Sequence, residues 1–284
     1  MDVLMLPLFL SLSLAGPADA APTTRPATVR IAMCQILGID SDREGNFQRI
    51  ETALAEAKRQ GAAIACFPEG AILGWVNPEA HQLAHPIPGP DTDRLAALAR
   101  RHDVMLCVGV EEKDGDKLHD SVVLIDRRGR ILLKHRKINT LVELMTPPYT
   151  RGTTVEAAET EHGRIGLLIC ADTFDPKLLE RMRDRRADLL LVPYGWAAED
   201  KAWPGHGDSL RDTVTKAAKA VGAPVVGTDL IGEITHGPWT GRTYGGQSVA
   251  ADADGRVLVR GKDREAQVLL VDVPTGHRSF ARQE

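Results

Sequence analysis

Residues 62–67 read Ala62-Ala63-Ile64-Ala65-Cys66-Phe67, six apolar residues in a row, and the run ends on Pro68-Glu69. A strand with one wet face alternates polar and apolar residues, so a continuous apolar run implies cover on both faces. Ile165 to Cys170 (IGLLIC) and Leu189 to Pro193 (LLLVP) repeat the pattern. Working outward, Val29 to Gln35 and Val104 to Val110 read as further strands. Arg43 to Gln60 carries Phe47, Ile50, Leu54 and Ala57 at helical spacing and stops at Gly61. Asp91 to Arg101 reads as a helix with an acidic first turn and a basic last one. Asp175-Pro176 caps another helix to about Arg185, and Ser209 to Val221 forms a third. Lys117 to Ile125 and Arg130 to Lys134 flank a turn at Arg127-Arg128-Gly129. Gln247 to Ala251, Val257 to Arg260 and Val268 to Val273 form a closing meander. Parallel buried strands plus antiparallel hairpins predict a mixed-sheet α/β layer fold with helices outside.

The 284 residues are 43% hydrophobic and 26% charged, with a net charge of −4. Such a balance excludes disorder and lacks the basic surplus of a nucleic-acid binder. Residues 1–20 differ from the rest. Val3 to Leu14 is almost wholly apolar, and Ala18-Asp19-Ala20 makes an A-x-A cleavage site, although the n-region Met1-Asp2 has no basic residue. The run is too short to span a bilayer, which needs about 20 residues. We therefore expect a cleaved signal over 1–20, a flexible segment over 21–28 and one folded domain over 29–284. Cleavage would make the protein exported, periplasmic or secreted; without it the chain would be cytoplasmic. Cys34, Cys66, Cys107 and Cys170 form no C-x-x-C pair. The first three lie in apolar runs and read as core.

Familiar catalytic motifs are missing. There is no H-E-x-x-H, and Gly246-Gln247-Ser248-Val249-Ala250 fails G-x-S-x-G at its last position. What remains is a set of polar residues where apolar strands end. Glu69 follows Ala62–Phe67, Lys137 follows Ile131–Arg136, and Cys170 follows Arg164–Ile169. Ligands of open α/β sheets bind beyond the carboxyl ends of strands. A base, a cation and a thiol there supply what nucleophilic acyl chemistry requires. Taken singly, each has a plainer reading as a solvated loop acid, a member of a basic surface run and a core thiol.

Cys66-Phe67-Pro68-Glu69-Gly70, His135-Arg136-Lys137-Ile138-Asn139 and Leu168-Ile169-Cys170-Ala171-Asp172 resemble the three signature segments of the nitrilase superfamily of carbon–nitrogen hydrolases. Val29 to Gln35, Pro88-Gly89-Pro90, Ala187 to Pro193 and Gly246-Gln247-Ser248 are similar to other segments of that family, so the resemblance runs in order from Val29 to Val273. It implies an αββα sandwich with mixed sheets, dimerised through its helices into a four-layer assembly, as a homodimer or higher homo-oligomer. It implies Glu69 as general base, Lys137 as stabiliser of the tetrahedral intermediate and Cys170 as nucleophile. A second active-site glutamate follows the lysine in many members; Glu143 is the candidate here. Tyr194 and Trp196 stand where the substrate wall lies, with Ala171, Thr173 and Phe174 beside them, and Trp75 covers the mouth. After the cysteine, Cys170-Ala171-Asp172-Thr173-Phe174-Asp175-Pro176 departs from the common branches, which bears on the substrate rather than the chemistry.

The resemblance predicts hydrolysis of a small amide or N-carbamoyl compound through a thioester, with no metal or cofactor, no nucleic-acid partner and no stable membrane span. A nitrile processed by the same three residues is an open alternative. Two readings of other classes also stay open: a thiol hydrolase with His135 or His206 as base, and a non-catalytic binding protein on the same fold.

Overall fold

The computed structural model describes residues 28–274. The leader expected over 1–20, residues 21–27 of the following segment and residues 275–284 lie outside the described residues. In chain order the first half runs β1 (Thr28–Gln35), α1 (Arg43–Arg59), β2 (Ile64–Cys66), α2 (Ala80–Leu83), α3 (Pro90–His102), β3 (Met105–Asp114), β4 (Lys117–Ile125) and β5 (Ile131–Arg136). The second half runs β6 (Ala157–Thr160), β7 (Gly163–Leu167), α4 (Pro176–Asp184), β8 (Leu189–Tyr194), β9 (Ala197–Ala198), α5 (His206–Val221), β10 (Val225–Asp229), β11 (Ile231–Glu233), β12 (Thr243–Gly245), β13 (Val249–Ala251), β14 (Val257–Arg260) and β15 (Gln267–Pro274).

Two sheets of like design face each other. The first has the order β15-β1-β2-β3-β4-β5 and the second β14-β13-β10-β8-β7-β6. Each has three parallel strands at its centre, β1, β2 and β3 in one and β7, β8 and β10 in the other, flanked by antiparallel strands. Helices α1 and α3 cover the first sheet, and α4 and α5 the second. Each apolar strand thus has a sheet on one side and helices on the other, which is why it never alternates. One chain already supplies the four layers α, β, β, α, so the expected four-layer architecture needs no second copy.

Local chemistry places the helices. The Asp42 side chain caps α1 by accepting from the Gly45 N–H at 3.1 Å, and the helix buries Phe47, Ile50, Leu54 and Ala57. The Asp175 side chain caps α4 by accepting from the Lys177 N–H at 2.9 Å, with Pro176 at its first position. In α5 the apolar face is Leu210, Val214, Ala217, Ala218 and Val221; each large member contributes about 1.5–3 kcal/mol by leaving water.

Details differ from the expectation. Helix α5 begins at His206 rather than Ser209, because its first turn is polar and carries no apolar period. Strand β6, Ala157–Thr160, pairs antiparallel with β7. A third sheet, in the order β11-β12-β9, was not expected; its strands of two or three residues are too short for a readable period. Among the described residues, no helix is long and apolar enough to cross a membrane.

Candidate active site

The chain turns on leaving β2, and Glu69 points inward with 0% exposure. Gly109 on β3 permits that turn, since a Cβ there would stand 2.4 Å from the Pro68 carbonyl oxygen and 2.6 Å from the Glu69 Cα. Lys137 follows β5 and is 1% exposed. Its backbone N–H donates to the Asp120 carbonyl at 2.8 Å, so the lysine continues the β4–β5 pairing by one residue. Cys170, 5% exposed, follows β7 in a left-handed conformation with φ +38°. That conformation costs an L-residue of order 1–3 kcal/mol. The turn that holds it is closed by the Asp172 N–H to Ile169 O at 2.8 Å and by the Thr173 hydroxyl to Cys170 O at 2.6 Å.

The Lys137 and Glu69 side chains meet, and the charges of both act on the Cys170 thiol. The Lys137 ammonium donates to Glu69 Oε1, and the Gly195 N–H donates to Glu69 Oε2 at 2.6 Å. The same N–H lowers the proton affinity of the Cys170 thiol. Gly195 suits that close approach, because a Cβ would stand 3.0 Å from Glu69 Oε2 and 3.3 Å from the Trp75 ring and crowd both. Trp75 is buried rather than open at a mouth. The Lys137 ammonium lies 5.5 Å from its ring centroid, a cation–π distance.

Burial dominates the electrostatics. It pushes the Glu69 carboxyl well above the ordinary range; Lys137 opposes that and Asp120 adds to it. Burial pushes the Cys170 thiol up as well, and the Glu69 charge reinforces it against Lys137. For Lys137, burial works against the charge, but Glu69, Asp120 and Cys170 together outweigh it and hold the amine protonated. The resting cluster is thus a neutral thiol beside a carboxylate of high proton affinity and a fixed ammonium. Such a set can move the thiol proton as the sulfur attacks, and can neutralise an oxyanion.

A clamp keeps the lysine and cysteine segments together. Asp172 is fully buried and accepts from the Ile138 and Asn139 N–H groups, at 2.9 and 2.8 Å, with Oδ1. Its Oδ2 accepts from the Ile169 N–H at 3.1 Å and bonds His135 Nε2 at 2.8 Å. His135 is thereby engaged by Asp172, and His206 stacks on Trp196 at 5.6 Å. Neither histidine ranks among the main influences on the Cys170 thiol.

Other expected residues fall into two groups. Ala171, Thr173 and Tyr194 are buried beside Cys170, and the Thr173 and Tyr194 hydroxyls lie 3.2 Å apart. Trp196 is half-buried, and Phe174, 46% exposed, packs edge-on against it at 5.6 Å. Glu143 departs from the expectation: it sits exposed in a short 3-10 turn, Val142–Leu144, outside the cluster. The second carboxylate on Lys137 is Asp120, whose Oδ2 accepts from the ammonium at 3.1 Å. Sequence reading missed it because it lies within a strand and not at a strand end; the one signal was the polar stretch His119-Asp120-Ser121 in β4.

Two facing mixed sheets between helix layers, with a thiol, carboxylate and ammonium buried at the strand ends, define the class of an αββα protein with a buried polar cluster. The carbon-nitrogen hydrolase family model matches residues 30–283, and the chain belongs to that family. It is 32% identical over 207 residues to a bifunctional nitrilase/nitrile hydratase of Lupinus angustifolius, covering 66% of this chain and 58% of that protein. It is 31% identical over 195 residues to another of Nicotiana tabacum, covering 62% and 56%. The chain thus spans less than two thirds of the length of these curated relatives. Among solved structures, a carbon-nitrogen hydrolase from Helicobacter pylori superposes with a TM-score of 0.79 at 20% identity, covering 88% of this chain and 90% of the other. A nitrilase-superfamily amidase from Nesterenkonia gives 0.75 at 22%, covering 90% and 94%, in a structure with the acetamide moiety of fluoroacetamide added covalently at the active site cysteine. At these identities the structural likeness speaks for the fold.

Proposed function

We propose that this chain is an amidase-type enzyme that hydrolyses a small amide or N-carbamoyl compound through a thioester on Cys170. The observation that carries the reading is the dry convergence of the Lys137 ammonium and the Gly195 N–H on the Glu69 carboxylate, with the Glu69 and Lys137 charges both acting on the Cys170 thiol. The amidase carrying a covalent acetamide moiety lends support by analogy of fold.

In the proposed cycle Glu69 takes the thiol proton while sulfur bonds to the carbonyl carbon and the C=O electron pair moves to oxygen. Lys137 and the Ala171 N–H stabilise that oxyanion; losing one such donor costs ~3–4 kcal/mol. Glu69 returns the proton to nitrogen, the C–N bond breaks and ammonia or an amine leaves. Glu69 then takes a proton from water as its oxygen adds to the thioester. The C–S bond breaks, the sulfur regains a proton, and the acid departs. The net reaction is amide plus water to acid plus amine. Phe174, Trp196 and Tyr194 flank the acyl group, with Thr173 behind it.

Nitrile hydrolysis by the same residues is the second reading, favoured by the names of the curated relatives. Ammonia release from aliphatic amides, N-carbamoyl amines and nitriles separates the two. The expected result is amide or carbamoyl turnover that Cys170→Ala abolishes, with an acyl-enzyme mass adduct trapped in Glu69→Gln. Turnover retained by Cys170→Ala would refute the assignment. The enzyme is also proposed to be exported after cleavage behind Ala20 and to pair with a second copy. The N-terminal mass of the host protein and its size in solution decide these; an intact Met1 in the cytoplasm defeats the first.

A further inference from the structure

Lys137 has two counterions, not one. Its ammonium bonds Glu69 on one side and Asp120 Oδ2, at 3.1 Å, on the other, and all three side chains are at most 2% exposed. Asp120 reaches the lysine by sheet register. Ser121 pairs with Arg136, so Asp120 and Lys137 form the next rung, and on its other side Asp120 pairs with Glu111 of β3.

Two carboxylates around one buried ammonium form an unusual arrangement with a physical consequence. With Glu69 as the only counterion, the ammonium and carboxylate would form a tight dry ion pair. Glu69 would then be a weak base, because taking a proton would break that pair. A second anion on the same ammonium removes this penalty: when Glu69 is protonated, Lys137 still has Asp120. We infer that Asp120 is a positioning residue of this enzyme, anchoring the Lys137 ammonium during the proton transfers and freeing Glu69 to act as base. The inference rests on the proposed roles of Glu69, Lys137 and Cys170.

The groups facing Glu69 come from several elements: Lys137 after β5, Asp120 on β4, Cys170 after β7, the Gly195 N–H and Tyr194 at the end of β8, Tyr244 on β12, and Tyr149. The three phenols are pushed up by burial and are neutral. Glu111 is also pushed up, by burial and then by Asp120, so it stands beside Asp120 as a neutral acid. Asp120 is the second carboxylate that, beside Glu69, holds the Lys137 ammonium.

The test is the pH profile of kcat/KM for Asp120→Asn, an isosteric change, in the full chain on whichever amide the wild type turns over. Removing the neighbouring negative charge favours ionised Glu69, so its proton affinity falls. The acid limb moves to lower pH by about one unit or more. The plateau falls by about 10- to 100-fold, the loss expected of one charge-assisted hydrogen bond. A limb that stays in place overturns the inference whatever the plateau does, because a merely structural aspartate would not move it. Where turnover is too slow to profile, the pH dependence of Cys170 alkylation by iodoacetamide reads the same deprotonation, with the same two outcomes. Cys170→Ala runs beside it: a variant that stays active indicts the reading of the reaction, whereas a dead one with an unmoved Asp120→Asn limb indicts Asp120 alone.

Discussion

Replacing Asp172 by asparagine keeps the shape of the clamp between the Cys170 turn and the chain after Lys137, and removes its charge. In the wild type the carboxylate bonds three backbone N–H groups and one imidazole. Suppose the asparagine oxygen stays on Ile138 and Asn139. Its NH2 then faces His135 Nε2 and the Ile169 N–H. His135 can accept there by moving its proton to Nδ1, which has no partner in the wild type. The Ile169 N–H has no such remedy and is left buried against another donor, at about 1–3 kcal/mol. The remaining bonds lose their charge assistance, which brings the sum to about 2–4 kcal/mol. For a domain of this size each kcal/mol is worth about 2–4 °C, so Tm should fall by about 4–16 °C at pH 7. Calorimetry or circular dichroism reads it. Titration gives a second readout. Burial opposes the Asp172 charge, but His135, the Asn139 N–H and Lys137 outweigh it and hold its pKa below the ordinary value. A depressed carboxyl stabilises the fold fully above the unfolded pKa of about 3.9 and loses that contribution as pH falls through the folded value. The gap between wild type and Asp172→Asn should therefore be widest near neutrality and close below about pH 4. A variant melting within a degree of wild type at pH 7, or a gap indifferent to acid, would refute the clamp.

Two further outcomes test the edges of the site. Glu143→Gln should leave kcat/KM within about twofold, since an exposed polar change outside the cluster disturbs little; a loss beyond tenfold would put Glu143 in the machinery after all. Phe174→Ala should raise KM for phenylacetamide by about 2- to 10-fold, the worth of one edge-on ring pair, while leaving acetamide unaffected. Equal effects on both substrates would remove Phe174 from the acyl wall.

The resemblance and the strand-end pattern read Glu69, Lys137 and Cys170 because each follows a strand, and the carboxyl ends of strands are where α/β sheets gather their ligands. The Gln35 of the first strand was legible too, although its work is structural. It donates to the Lys262 and Glu265 carbonyls and accepts from the Ser248 N–H, tying β1 to the segment between β14 and β15 and to the residue before β13, across the two sheets. Asp120 was not legible, for a reason of register. At the turn end of the β4–β5 hairpin Ile125 pairs with Ile131, and continuing that count would set Asp120 opposite Arg136. A bulge between Leu124 and Ile125 slips the pairing by one residue, so Ser121 faces Arg136 and Asp120 faces Lys137. A single added residue in one strand decides which cation the buried aspartate meets. Hydropathy carries no trace of it, because both registers bury Val122 and Leu124 equally well. What separates them is electrostatic: Arg136 is taken by Glu112 and Asp114 on the other face, and Lys137 is the cation left facing inward to offset Asp120. Charge pairing across strands, not strand propensity, therefore completes this site, and it becomes visible only once the register is known.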